Sequence, residues 1–201
     1  MRFDPILAET RFGCGLSPLH VPVQSVDEMM RRLRAPDKAA QVFPIPEFDA
    51  LRPRVVELAR IRKQRKSENE ATRMAARDQT RKLQKEFIAK RHMWLAYTLG
   101  RRATTEDGFR ERLMFFWADH FTARGGGAVI RRATPTYWEE AIRPNLLGSF
   151  RDLLISAVTH PMMLIFLNQS QSFGPNSRAV QASHTGTFGH ENLAREVMEL
   201  H

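Results

Sequence analysis

Apolar side chains recur along this chain mostly at helical spacing, and the largest of them gather in Arg112–Thr122. Leu113, Phe116, Trp117 and His120 stand at i, i+3, i+4 and i+7, one face of a 3.6-residue repeat. That face is expected to turn into the core, carrying three large apolar groups and one imidazole, with Asp119 beside it. Two readings are open for His120: a core histidine satisfied by hydrogen bonds, or an imidazole that feeds a polar site.

The same repeat sets out the other elements. Asp4-Pro5 is a capping residue followed by proline at the first helical position, and the short helix is expected to end at Gly13 or Gly15. Ser25 and Glu28 form a capping box for Val26–Ala35, which Pro36 stops. Phe43-Pro44-Ile45-Pro46 reads as an extended connector. One long helical pattern then runs from about Phe48 to Leu99, apolar at Leu51, Val55 and Leu58 on entry and at Leu83, Phe87, Trp94 and Leu95 near its exit, with Gly100 as the stop. Its middle, Arg62–Glu70, has no apolar residue, as in a helix that bridges solvent or is held by something else.

Thr104 and Asp107 are caps for the Phe-Phe-Trp helix, which Gly125-Gly126-Gly127 ends; no Lys-Ser/Thr follows these glycines, so they are not a phosphate-binding loop. Thr134-Pro135 starts a helix through Arg143, broken by Pro144. Ser149 caps Phe150–Thr159, and Pro161 opens an apolar helix through Leu167. From Asn168 to Gly189 the chain is rich in Ser, Gly, Gln and Asn without apolar periodicity, a loop of a length that is usually functional or disordered.

The last helix, Glu191–His201, carries two stripes. Leu193, Val197 and Leu200 form the apolar one, while Asn192, Arg195, Glu196 and Glu199 share another face. Glu196 and Glu199 suit a hard divalent cation, with His120 as a further candidate ligand, or one of the carboxylates suits a general base oriented by Arg195. The bland alternative is an exposed face braced by Arg195 with Glu191 and Glu199. A Glu-x-x-His pair of the kind found in bundle metal sites is missing, because His201 lies two residues after Glu199.

Charge adds one thing that periodicity does not show. The net charge of +9 resides in residues 52–91, which hold 14 Lys or Arg against 5 Asp or Glu; the remainder holds 17 of each sign. This segment reads as a basic helical hairpin or arm. It is either a solvated structure or a contact for an acidic protein, an anionic membrane surface or nucleic acid, with Arg62, Lys63, Arg65 and Lys66 as candidate contacts. Base-stacking aromatics are missing between Phe48 and Phe87, and Arg62–Glu70 has no apolar face to insert in a membrane. Cys14 is the lone cysteine, so no intrachain disulfide forms. The apolar runs Leu153–Val158 and Met162–Leu167 are too short to span a bilayer, and the N-terminus lacks a secretory h-region, which gives a cytoplasmic expectation.

Five ordered stretches carry a resemblance: Arg11-Phe12-Gly13-Cys14-Gly15, Phe116-Trp117-Ala118-Asp119-His120-Phe121, Arg143-Pro144-Asn145 through Leu154, Gly174 through Ala179, and Glu191-Asn192-Leu193-Ala194-Arg195-Glu196 through His201. Together they resemble the bacterial family known as domain of unknown function 1800. The resemblance implies relatives that run well beyond the Glu-Leu-His motif, so this chain looks like the N-terminal part of a longer protein. Relatives often have a second histidine in the Phe-Trp motif, where Ala118 and Asp119 stand here, and many have export signals.

The expected fold is all-α, an irregular multi-helix bundle with a long, strongly basic helical hairpin or arm, forming a single domain over 1–201. For function, one reading is a polar pocket of hydrolytic or metal-assisted chemistry, with Asp119, His120, Arg195 and Glu196 as catalytic candidates and Asn145, Arg151 and Asn192 orienting a substrate. Another is an interaction protein in which buried polar residues satisfy one another while the basic segment grips an acidic partner. Nucleic-acid binding through the basic segment is the third.

Overall fold

The computed structural model describes residues 2–125, 127–169, 172–174, 177–182 and 192–200. Among them the fold is all-α, without strands. Asp4 Oδ1 accepts from Leu7 N–H and Pro5 opens α1 (Pro5–Phe12); its C-cap, Gly13, is extended, and the left-handed residue is Gly15, at φ 94°. Ser25 caps α2 (Val26–Arg34): its Oγ accepts from Glu28 N–H, while the Glu28 carboxylate accepts from Gln24 N–H, one residue before the partner a strict capping box would use. Asp37 caps a short α3 (Lys38–Val42), which the hydrophobic pattern does not announce.

The long helical pattern read from about Phe48 to Leu99 resolves into a 3-10 turn (Phe48–Leu51), α4 (Arg52–Gln64), a reversal, and α5 (Glu70–Thr104). The chain reverses within its apolar-free stretch, where continuing the helix would bury nothing, and Asn69 Oδ1 accepts from Thr72 N–H to restart it. Leu58 and Ile61 of α4 and Ala76, Leu83 and Phe87 of α5 belong to the core, with Ile61 at 0% exposure and Ala76 at 1%. Gly100 does not stop α5, which runs on to Thr104. A Cβ there would lie 2.8 Å from the Phe43 ring, so the glycine serves close packing.

Asp107 Oδ1 accepts from Arg110 N–H and caps α6 (Gly108–His120). Here the expected face is corrected. The buried face of α6 is Gly108, Arg110, Glu111, Met114 and Ala118; Leu113 and Trp117 are half-buried against the core, Phe116 is 57% exposed and His120 is exposed. Periodicity chose the stripe of largest side chains. The fold instead turns inward the stripe with two small residues, where α1, α2 and the 138–142 segment approach closely.

After α7 (Gly127–Ile130) and a 3-10 turn, α8 (Thr134–Tyr137) passes into a π-helical segment, Trp138–Ile142, and a 3-10 turn, Arg143–Asn145. Ser149 caps α9 (Phe150–Thr159), and His160 Nδ1 caps α10 (Pro161–Phe166) by accepting from Met162 N–H. A short α11 (Arg178–Gln181) and α12 (Asn192–Leu200) follow, with Leu193 of α12 packed against the core. The core gathers Trp94, Phe121, Tyr137, Ala141, Ile142 and Met162 at its centre.

Candidate functional site

Arg143 stands at the centre of the molecule's buried polar structure. Its guanidinium grips Glu111 with two parallel hydrogen bonds, Nη1 to Oε1 at 2.9 Å and Nη2 to Oε2 at 3.1 Å. Nη1 also donates to Asp37 Oδ2 at 2.7 Å, and Nε to Glu139 Oε1 at 3.2 Å. Glu139 Oε1 then accepts from Arg101 Nη1 at 2.7 Å, and Arg101, 1% exposed, donates through Nε and Nη2 to the Phe43 carbonyl. Burial works against the charge on Arg143, but Glu111, Glu139 and Asp37 more than offset it and hold the guanidinium protonated. Five charged side chains from five elements satisfy one another here without a ligand.

Asp37 carries the network to the surface. It lines a groove of about 420 Å³ between α2–α3 and the α5–α6 junction, together with His20, Lys38, Glu106, Asp107 and Arg110. The volume lies in the usual range for small-molecule sites. Arg110 forms the groove's inner wall, donating Nε to Asp107 Oδ2 at 2.8 Å and Nη2 to the carbonyls of Leu33 and Ala35 at the end of α2. Its two aspartates titrate in opposite directions. Burial pushes Asp107 above the ordinary carboxyl value despite its Arg110 bonds; burial acts on Asp37 too, but Ala40 N–H and Arg143 outweigh it and hold that carboxyl below.

The residues expected to form a site are distributed differently. Asp119 and His120 are exposed at the end of α6, with the His120 ring stacked on Phe116 (centroids 6.3 Å apart) and edge-on to Trp117 and Phe121. Arg195 and Glu199 are exposed on α12 and Glu196 is half-buried; the Asn192 side chain, Glu191 and His201 lie outside the described residues. Among the described residues no group of three or more His, Cys, Asp or Glu is placed to hold a metal ion, so His120, Glu196 and Glu199 are not brought together as such a set. Asn145 donates to the Ala141 carbonyl at 2.9 Å, and Arg151 is exposed in the first turn of α9. Arg62, Lys63, Arg65 and Lys66 are exposed at the reversal between α4 and α5, without a carboxylate in ion-pair range among the described residues.

Among the described residues the buried imidazole is that of His160. It is 5% exposed, packed against Phe48 and Tyr137, with Nε2 3.7 Å from Glu140 Oε1. Burial pulls its pKa down to about 4. The sequence does carry a signal for it: a histidine directly before the proline that opens a helix stands at the capping position. Asp37 carries a different signal, a preferred capping residue directly after the proline that ends α2. Arg110, Glu111 and Glu139 carry none, since charged residues in an amphipathic helix ordinarily face solvent.

The motif residues Arg11–Gly15 do structural work against the start of α6. Cys14 Sγ donates to the Gly108 carbonyl at 3.6 Å, Phe12 meets Phe109 edge-on, and burial raises the Cys14 thiol above its ordinary value. The chain matches the family described as "Protein of unknown function (DUF1800)" over residues 9–201. It belongs to that family. The DUF1800 match runs from the second half of α1 through α12, and the family's function is unknown. A search among curated proteins and among solved structures finds no match. No helix among the described residues is long and apolar enough to cross a membrane.

Proposed function

We propose that this DUF1800 chain is an interaction domain whose basic α4–α5 hairpin binds an acidic segment of a partner protein. The observation that carries the reading is the contrast between inner and outer charge. Inside, Arg101, Arg110 and Arg143 are each matched to carboxylates or carbonyls. On the hairpin, Arg54 and Lys90 share Glu86, while Arg62, Lys63, Arg65 and Lys66 face water together at one end. Like charges held close raise the local potential and favour an anionic partner, chiefly through the association rate. Burial of Ile61 and Ala76 beneath them supports a rigid presentation of these charges. An acidic polypeptide fits better than single-stranded nucleic acid, because the hairpin surface supplies no aromatic platform for bases.

Binding of poly-glutamate, single-stranded and duplex DNA to the protein, measured across a salt series, tests this. Poly-glutamate is expected to bind with an affinity that falls as salt rises, and reversing Arg62, Lys63, Arg65 and Lys66 to Glu is expected to weaken it by tenfold or more. Equal binding by that variant excludes the reading; preference for either DNA moves the assignment to nucleic acid.

A further inference from the structure

The groove between α2–α3 and the α5–α6 junction has a composition that the interior network does not require. We infer that it is a binding site for a small anionic molecule carrying a carboxylate or phosphate group. The argument is an accounting of charge around its wall. Asp37 is taken up by Ala40 N–H and Arg143, and Asp107 by the backbone and side chain of Arg110. Glu28 accepts from Gln24 N–H and from Arg32, and Arg32 also donates to the Glu106 carbonyl. The carboxylates at the floor are therefore each matched inside the protein.

The cations at the mouth are not. Lys38 lines the groove and has no carboxylate in ion-pair range among the described residues. Arg31 lines it too, and its one carboxylate contact, Glu28 at 3.9 Å, is long and shared with the tighter Arg32 pair at 2.7 Å. Glu106 is the remaining carboxylate of the wall; its side chain is 62% exposed and stands 4.0 Å from His20 Nδ1, while His20 Nε2 lies 2.6 Å from the Thr104 carbonyl. The groove thus offers two cationic groups with capacity for a ligand, on a wall that Ala35, Pro36, Ala39 and Val42 make partly apolar. Lys and Arg side chains at the mouth of a partly apolar groove of this volume match the chemistry that recognises carboxylate and phosphate groups. The site is separate from the hairpin, so this inference and the hairpin reading stand or fall independently.

Isothermal titration with succinate and with inorganic phosphate, at constant ionic strength, separates the possibilities. Saturable binding of at least one probe is expected, and the probe preferred tells carboxylate from phosphate. Arg31→Gln with Lys38→Gln is expected to weaken that binding about tenfold or more, since both side chains are exposed and the fold does not depend on them. Ala39→Trp, which fills the groove without changing charge, is expected to weaken it as well, whereas Lys63→Gln with Arg65→Gln on the hairpin is expected to leave it unchanged. Absence of saturable binding for both probes, or wild-type affinity in the Arg31/Lys38 variant, overturns the inference. Loss confined to the hairpin variant overturns it too, and assigns the anion to the hairpin.

Discussion

Arg143 and Glu111 face each other across the interior with the two terminal guanidinium nitrogens on the two carboxylate oxygens, at 2.9 and 3.1 Å. The pair joins the 3-10 turn after the π-segment to the first turn of α6, and Glu111 is only 3% exposed. Adjacent carboxylates on the π-segment are divided between two jobs: Glu139 turns to Arg101 and Arg143, while Glu140 accepts from Asp49 N–H at 2.7 Å and faces His160. A π-turn shifts the register of side chains by one residue relative to an α-helix, which suits it to such a junction.

Removing one member of this network is expected to cost far more than its net worth, because the remaining charges stay buried. Arg143→Met leaves Glu111 and Glu139 without their shared cation and should destabilise the fold by about 3–5 kcal/mol. The companion change Glu111→Leu together with Arg143→Met should recover part of that loss, since the pair disappears as a unit. Urea melts of the two single variants and the double close the cycle. Additive losses would show that Glu111 and Arg143 do not depend on one another.

The pH dependence of stability is expected to carry the mark of His160. Its folded pKa, about 4, lies below the ordinary 6.5, so above pH 6.5 both folded and unfolded states are neutral and the contribution is fully present. Between 6.5 and 4 the unfolded chain takes up a proton that the buried imidazole refuses, and stability falls as pH falls. The loss amounts to about 3 kcal/mol by pH 4. His160→Asn keeps a capping oxygen for Met162 N–H but cannot titrate, so the difference between wild type and variant should shift by that amount from pH 7 to pH 4. A difference that does not change with pH would show that His160 titrates normally. His120→Ala, on the exposed end of α6, should cost less than about 1 kcal/mol.

Caps were largely legible in the sequence because they act locally: Asp4, Ser25, Asp107 and Ser149 all cap the helices expected of them, whereas α5 runs through both the expected Gly100 stop and Thr104. The all-α class was legible for the same reason. The inward face of α6 was not, since Leu113, Phe116, Trp117 and His120 outscore Met114 and Ala118 on apolar bulk, and only the closeness of α1 and α2 decides between them. The expected burial of His120 suffered from the same limit. His120 was picked as the core imidazole by its periodicity, whereas His160 is buried by tertiary packing against Phe48 and Tyr137. Arg101, Arg110 and Arg143 read locally as solvated cations; beside the local bonds to Asp107 and Glu139, their long-range partners lie 32 to 106 residues away.

Gly108 is expected to be sensitive for a reason unrelated to glycine's flexibility. A Cβ built on it lies 3.0 Å from Cys14 N and 3.1 Å from Gly13 Cα, both backbone atoms of the segment after α1. Alanine favours a helix over glycine by up to about 1 kcal/mol, but displacing a packed backbone typically costs about 1–3 kcal/mol. The clash should win, and Gly108→Ala should lower the melting temperature. Gly148, where the nearest atom to a Cβ is Asn145 O at 3.5 Å, provides a control. Stabilisation by Gly108→Ala would mean that α1 gives way freely.

The basic hairpin is open to a test that separates a packed element from a free arm. Ile61 stands three residues from the end of α4, among the most basic positions of the chain, yet it is 0% exposed and part of the core with Ala76. In a free arm the change Ile61→Ala would be slightly stabilising, by a few tenths of a kcal/mol, because alanine is the better helix former. In the packed hairpin it deletes buried methyl groups and leaves a cavity, for about 2–5 kcal/mol. Denaturant melts give the answer directly. A large loss also bears on binding, because Arg62, Lys63, Arg65 and Lys66 would then be spaced by a buttressed scaffold, and loosening it should reduce the affinity for poly-glutamate while leaving every positive charge in place.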